Sequence, residues 1–147
     1  MTPEDFINNL NKAFDKTSED MLPTMEEAAL TGKALLARRI QNEGFGRTYI
    51  SRGYRKLREL KGYEIRFVNL TFTGAMFRGW KIPFSFREGL KIGGSVAGVD
   101  QETKNKLKWN KSRFPNFNQL HDDDKKLLKE FVQNRLNETL TDNLFKK

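Results

Sequence analysis

Basic side chains interleaved with tyrosines make residues 47–61 the segment best suited to bind a ligand. Guanidinium and ammonium groups attract phosphate oxygens, and aromatic rings can stack on nucleic-acid bases. A solvated loop whose tyrosines pack inward fits the same pattern. With two arginines from the helical segment that precedes it, the residues predicted to face DNA or another polyanion are Arg38, Arg39, Arg47, Arg52, Arg55, Lys56 and Arg58.

Residue types that are typical of catalytic and metal sites are sparse. The only histidine, His121, precedes the three aspartates at 122–124. Imidazole and carboxylate groups can bind a metal, but aspartates at the start of a helix are also explained by capping and by the helix dipole. The chain has no cysteine, no P-loop and no Gly-x-Ser-x-Gly motif. We therefore expect no enzyme activity, no bound metal and no cofactor.

The charge is distributed unevenly along the 147 residues, whose net charge is +8. Residues 1–30 carry −5, residues 31–70 carry +7, residues 71–120 carry +6 and residues 121–147 are neutral. A basic band of this kind favours a polyanionic partner. The absence of cysteine suits a reducing compartment. No apolar run is long enough to cross a membrane, so we expect a soluble protein with no membrane partner.

Apolar residues at helical spacing dominate both ends of the chain. They predict helices over residues 2–16 and 23–43, and a last helix that starts at residue 122. Ser18-Glu19-Asp20 is predicted to break or bend the first segment, and Gly44 to end the second helix. The two N-terminal segments also fit one long helix bent near Pro23.

The middle of the chain is more varied. Ser51 is predicted to cap a short helix over 52–60. For the apolar stretch that follows, two interpretations remain open. In one, a strand over 65–68 precedes a short helix that runs to Trp80 and is capped by Thr71 or Thr73. In the other, the whole run 65–72 is a strand.

Alternation of apolar and polar residues over 80–92 predicts a β-hairpin with its turn at 87–89, and Gly93 and Gly94 are expected to end its second arm. A helix is then expected over 100–109, with Val99, Leu107 and Trp109 directed inward.

These elements predict an α+β fold in which long N-terminal and C-terminal helices pack on a small antiparallel β-sheet. We expect a single domain over 1–147. Its regions are a helical N-terminal region at 2–43, a basic loop and short helix at 44–64, a sheet region at 65–98 and a helical C-terminal region at 99–147.

Five short motifs follow one another in an order that resembles the virion-morphogenesis family of tailed bacteriophages. This family comprises tail-completion, neck and head–tail connector proteins, and the resemblance covers roughly residues 25–140. The motifs are Arg38-Arg39-Ile40 with Gly44, Tyr49-Ile50-Ser51-Arg52-Gly53-Tyr54-Arg55-Lys56-Leu57-Arg58, Leu70-Thr71-Phe72-Thr73-Gly74-Ala75-Met76, Ile92-Gly93, and Arg113-Phe114-Pro115 through Leu120 before Asp122.

The resemblance implies a structural protein of the virion and no enzyme. Such a protein would be made in the host bacterial cytoplasm and would lie at the head–tail junction, as one of six or twelve copies in a ring around the DNA channel. Its partners would be further copies of itself and other connector, portal, tail-terminator or tail-tube proteins, and its basic segment also fits non-specific contact with packaged DNA. The alternative is a small basic nucleic-acid-binding protein.

Overall fold

In the computed structural model, residues 1–71 and 74–145 are described, and they confirm the predicted α+β fold with long terminal helices and a two-stranded antiparallel sheet. The elements in chain order are α1 (Pro3–Asp20), α2 (Leu22–Glu43), α3 (Arg52–Leu60), α4 (Ala75–Gly79), β1 (Trp80–Glu88), β2 (Lys91–Gly98), α5 (Gln101–Arg113) and α6 (Asp122–Phe145).

Helix α1 begins with a reciprocal cap and continues past its predicted end. The Thr2 hydroxyl accepts from the Asp5 amide, and the Asp5 carboxylate accepts from the Thr2 amide. The helix continues through Ser18 and Glu19 and ends at Asp20, the last residue of the stretch predicted to break or bend it. The Thr17 and Ser18 hydroxyls donate to carbonyls one turn back, at 2.7 and 3.1 Å, so they stay within the helix instead of competing with it.

Contacts divide the chain into two compact units, and each is described here by itself. The first unit comprises residues 1–32, 83–96 and those from Asp122 onward, and the second comprises residues 33–82 and 97–121. The expectation of a single domain stays a prediction.

In the first unit, α1 packs against α6, and the hairpin packs against the start of α2. The Asn143 amide donates to Thr17 Oγ1 at 3.1 Å and to Asp20 Oδ2 at 3.0 Å. The Ser85 hydroxyl donates to Glu26 Oε1 at 2.8 Å. Polar contacts therefore join α1 to α6 and the hairpin to α2.

The second unit holds a hydrophobic core built from the end of α2, from α4 and from the loop after α5. Its buried residues are Leu36, Ala37, Ile40, Met76, Phe77 and Phe117. Trp80 packs beside it with its ring centroid 6.4 Å from that of Phe117. Lys33 Nζ donates to the Phe77 carbonyl at 2.8 Å, and burial lowers the pKa of Lys33.

The stretch from Ile65 to Thr71 forms no strand, so the strand over 65–68 of one interpretation and the strand over 65–72 of the other are both wrong for these residues. Some of their amides donate locally: the Glu64 carboxylate accepts from residues 65 and 66, and Asn69 Oδ1 accepts from Thr71. The Val68 amide donates instead to the Arg47 carbonyl at 2.8 Å. The short helix that was predicted after the strand over 65–68 exists as α4, but Gly74 and not Thr71 is at its cap position. Thr73, one of its two predicted caps, lies outside the described residues.

The hairpin and α5 are both longer than predicted. Gly93 and Gly94 do not end β2, since the absence of side chains there lets the Phe86 ring lie over Gly93 and the Met25 carbonyl approach Gly94. The inward directions of Val99 and Trp109 are wrong, because these side chains are 42% and 58% exposed. Leu107 does pack against the core of its unit.

Substituting Gly74 with valine tests the backbone at the start of α4. Gly74 has a φ of 74°, a left-handed conformation that is strongly unfavourable for a β-branched residue. We expect Gly74→Val to lower the free energy of unfolding by about 1–3 kcal/mol, measured by urea unfolding. A variant with wild-type stability would show that this conformation is not required.

Candidate functional site

Arg58 is the member of the basic segment that is buried inside the protein. It lies on α3, which begins after the predicted cap: the Ser51 hydroxyl accepts from the Tyr54 amide. Only 1% of Arg58 is exposed. An arginine keeps its charge when buried, so its guanidinium requires several acceptors nearby.

Backbone carbonyls and one amide side chain supply these acceptors. Arg58 Nε donates to the Glu64 carbonyl at 2.9 Å, and Nη1 donates to the Thr71 carbonyl at 2.7 Å. Nη2 donates to Asn69 Oδ1 at 2.9 Å. The planar guanidinium thus holds three points of the loop after α3 in one arrangement.

Three tyrosine rings surround the same guanidinium. Its central carbon lies 4.4 Å from the ring centroid of Tyr49, 5.7 Å from that of Tyr54 and 5.5 Å from that of Tyr63. These distances are in the range of cation–π attraction. Burial raises the pKa of Tyr49, so this phenol keeps its proton and can donate to Asn69 Oδ1, 3.2 Å away.

The prediction that Arg58 faces a polyanion is therefore wrong. A residue that is 1% exposed, with its donors directed to internal acceptors, does not reach an external phosphate. Nothing in its sequence context separates it from its neighbours, because the acceptors at 2.7–2.9 Å come from residues 64–71, while α3 supplies the Tyr54 hydroxyl at 3.5 Å. The tyrosines of the segment pack around Arg58, an arginine of the same chain, and not around an external group.

The other predicted residues lie at or near the surface. Arg39 is half-buried, with its Nη1 3.7 Å from the Glu43 carboxylate. The exposed ones are Arg38, Arg47, Arg52, Arg55 and Lys56. Residues three and four apart on a helix share one face, so α3 brings Arg52, Arg55 and Lys56 together. We call these three residues the basic stripe.

A cavity of about 410 Å³ lies in the second unit, and the sequence did not predict it. It is lined by Thr48, Tyr49, Ile50, Ser51, Tyr54, Val68, Leu70, Trp109, Asn110, Arg113 and Phe114. The Arg113 guanidinium carbon lies 5.2 Å from the Trp109 ring centroid. The signal for this site in the sequence was Trp109, a tryptophan on an otherwise polar helix, four residues before Arg113. The lining therefore combines aromatic and aliphatic side chains with hydroxyl, amide and guanidinium groups, a combination that is typical of sites for a small organic group.

Glu64 stabilises the start of the loop that follows α3, next to Arg58. Its carboxylate accepts from the Ile65 and Arg66 amides at 3.0 and 2.7 Å, and from the Arg66 guanidinium at 3.0 and 2.7 Å. The Arg66 side chain is the largest cause of a pKa for Glu64 of about 2. Hydrogen bonds to the carboxylate favour its charged form.

The pKa of Glu64 gives a test of this loop. In the folded protein it is expected at about 2, below the ordinary glutamate value of 4.5. The stabilisation that the ionised Glu64 carboxylate gives to the folded protein is therefore complete above pH 4.5 and is lost as the pH falls towards 2. Nuclear magnetic resonance titration of the Glu64 carboxyl checks this. In Arg66→Ala the pKa should rise but stay below 4.5, since the backbone amides remain; an unchanged pKa would contradict the assignment.

Among the residues that the structure describes, no group of three or more histidine and acidic side chains is placed to hold a metal ion. The described helices also include none that is long and apolar enough to span a membrane.

Comparisons of this chain with protein-family models, with curated proteins and with solved structures found no match.

Proposed function

We propose that this chain is a structural subunit of the head–tail junction of a tailed bacteriophage, in a ring around the channel that DNA crosses. The observation that carries the proposal is the order of the five sequence motifs over residues 25–140, which resembles that of neck and tail-completion proteins. On this proposal the protein is made in the host cytoplasm, joins the virion, and contacts copies of itself and neighbouring connector, portal or tail proteins.

Two features of the surface support a structural role. The basic stripe presents exposed charge on a helix that Arg58 ties to the following loop, so it is a fixed surface that suits a channel filled with phosphate. Contacts to a phosphate backbone carry no sequence information, which suits a channel that any sequence must cross. The hairpin carries exposed phenylalanines that suit contact with another subunit.

Disruption of the gene in its own phage tests the proposal. Negative-stain images should show filled heads and separate tails, and a copy of the wild-type gene supplied in trans should restore joined particles. The matched control is a complementing gene with Lys129→Ala, a change of one exposed charge on α6, which should also restore them. Normal infectious particles without the gene would overturn the proposed function.

Non-specific binding of nucleic acid is the second candidate, and the basic stripe favours it. If it is correct, replacing Arg52, Arg55 and Lys56 with alanine should weaken DNA binding. The slope of log affinity against log salt should fall by about one for each phosphate that the variant no longer neutralises. Fluorescence anisotropy of a labelled duplex at several salt concentrations measures this slope.

The control removes the same charge elsewhere. Lys125, Lys126 and Lys129 are exposed on α6, and their replacement with alanine should leave the slope unchanged. An equal loss in both variants would mean that only net charge matters. Absence of any binding by the wild-type chain at low salt would reject this candidate.

A further inference from the structure

The cavity of the second unit combines aromatic walls with a cation that has no acidic partner. The Arg113 guanidinium carbon lies 5.2 Å from the ring centroid of Trp109 and 5.9 Å from that of Phe114. Among the residues that the structure describes, no oxygen accepts from this guanidinium. Its N–H donors are therefore available to an anion in the cavity, and their planar arrangement suits phosphate or carboxylate oxygens.

The positive charge is local to the segments that line the cavity. Residues 47–58 include five basic side chains and no acidic one, and residues 104–114 also include five basic side chains and no acidic one. None of the described residues that line the cavity is acidic. The charge around this cavity therefore favours an anionic ligand.

A buried amide offers an acceptor to the same cavity. Asn110, which lines it, is 8% exposed. Its Nδ2 donates to the Lys106 carbonyl at 2.9 Å and to Met76 Sδ at 3.2 Å, whereas no described residue donates to its Oδ1. The described part of the chain has no buried side-chain oxygen that lacks a partner. The Asn110 oxygen is therefore reached by solvent and can accept from a ligand in the cavity.

Two of the aromatic walls are held in place by other side chains. The Tyr49 ring centroid lies 4.4 Å from the buried Arg58 guanidinium, and the Tyr49 hydroxyl donates to Asn69. The Phe114 ring lies edge-on to Phe45, with the ring centroids 5.4 Å apart. A ligand would not have to order these rings, so binding avoids part of the entropy loss that mobile side chains impose.

The size and the lining of the cavity together define its ligand. Its volume of about 410 Å³ lies near the lower end of the range for ligand sites, roughly 300–1,000 Å³, so it accommodates one compact group. Aromatic rings stack on a nucleic-acid base, an amide oxygen accepts from the N–H groups at the edge of a base, and a guanidinium binds phosphate. A nucleotide carries all three of the matching groups.

We propose that this cavity binds one nucleotide whose base is not paired and stacked in a duplex. The base contacts Trp109 and Tyr49, the Asn110 carbonyl oxygen accepts from its edge, and the phosphate binds Arg113. The nucleotide is either free or part of a single strand. The basic stripe begins one residue after Ser51, which lines the cavity, so the next phosphates of a strand would meet positive charge.

This inference goes beyond the proposed function, because a subunit around duplex DNA requires no nucleotide site. Its tests use the isolated full-length chain, whereas the proposed function is tested in the phage. The failure of either test therefore leaves the other proposal standing.

Fluorescence anisotropy of a labelled oligothymidylate measures binding of a single strand. Trp109→Ala removes the exposed stacking surface and should weaken binding by about 5- to 150-fold, the range for loss of one base–aromatic stack. This change removes no charge, so the slope of log affinity against log salt should stay the same. The matched control is Phe6→Ala on α1, an aromatic side chain of similar exposure, 56% against 58%, which should leave the affinity unchanged.

Two pairs of substitutions test the phosphate contact. Arg113→Ala should weaken binding more than Lys108→Ala, which removes the same charge from an exposed position of α5 that does not line the cavity. Ile50→Asp adds a carboxylate to the lining and should weaken binding by about 5-fold or more at low salt, while the uncharged Ile50→Asn should cost less. Ile50 is 93% exposed, so this second pair carries the test if circular dichroism shows that Trp109→Ala is unfolded.

Thymidine monophosphate and a duplex of the same length distinguish the possible ligands. Isothermal titration calorimetry that gives equal affinities for the monophosphate and the oligothymidylate would identify a free nucleotide. A monophosphate affinity that is weaker by about 10-fold or more would identify a nucleotide within a strand that the basic stripe also binds. Both results support the site if Trp109→Ala weakens the binding. Duplex binding should not depend on Trp109, because paired bases cannot enter the cavity.

Three results would overturn the proposal. The first is a wild type that binds neither oligothymidylate nor thymidine monophosphate up to about 1 mM. The second is a folded Trp109→Ala variant that binds both ligands as the wild type does. The third is an equal loss of duplex and single-strand binding in that variant, since the contact would then not involve an unpaired base.

Discussion

Replacing Arg58 with alanine is expected to lower the free energy of unfolding by about 3–5 kcal/mol. Arg58 is 1% exposed, and its removal takes a donor from the carbonyls of Glu64 and Thr71. Asn69 Oδ1 loses one donor of three, because the Tyr49 hydroxyl and the Thr71 amide still donate to it. Each buried polar group left without a partner costs about 1–3 kcal/mol. The cavity left between the tyrosine rings adds to this loss.

Urea unfolding measures the effect, with Arg52→Ala as the matched control. Arg52 lies on the same helix and is exposed, so its replacement should change stability by about 0.5 kcal/mol or less. Arg58→Lys should be intermediate, because an ammonium is a point charge and does not reproduce the planar fork. A loss below about 1 kcal/mol for Arg58→Ala, less than one unsatisfied polar group costs, would mean that the loop at 64–71 does not depend on this residue.

Replacing Gly94 with alanine is expected to lower the free energy of unfolding by about 1–3 kcal/mol. A methyl group built at this position would overlap the backbone carbonyl of Met25. Backbone atoms cannot move aside as the end of a flexible side chain can, so the hairpin would have to shift away from α2. That shift would also strain the hydrogen bond from Ser85 to Glu26.

The matched control is Gly53→Ala on α3. No atom lies within 4 Å of the added methyl group, and alanine is the better helix former, so stability should rise by about 0.5–1 kcal/mol. Thermal unfolding of the two variants checks both signs. Two destabilised variants would argue against close packing as the cause at Gly94, while a neutral Gly94→Ala would contradict the observed approach of the hairpin to α2.

The two predictions bear on different parts of the proposed subunit. Loss of Arg58 should loosen the loop that follows α3, and amide hydrogen exchange should be faster at residues 64–71 than in α6. A shifted hairpin in Gly94→Ala would move β2 away from α2, and amide hydrogen exchange should then be faster in the hairpin than in α3. The loop after α3 and the hairpin can thus be perturbed separately.

The sequence by itself determined most of the secondary structure, because the forces involved act between near neighbours. The cap at Ser51 and the short helix over 52–60 follow from hydrogen bonds made within one turn. The hairpin follows from period-2 alternation, and α6 from helical spacing. The predicted ends of these elements were less accurate where tertiary contacts extend an element. Strand β2 continues through Gly93 and Gly94, where the Phe86 ring and the Met25 carbonyl approach closely.

Tertiary structure alone decided which members of these patterns are buried. Six basic residues lie between 47 and 61, and only Arg58 is enclosed, because its acceptors lie in the loop at 64–71. The alternation of apolar and polar residues in β1 separates two faces but does not determine which of them faces the helices. That choice depended on Glu26 and Asp15, two acidic residues far away in sequence that accept from Ser85 and Arg87. The polar face of the hairpin therefore lies against the helices, and Phe84 and Phe86 stay 44% and 56% exposed on the other face.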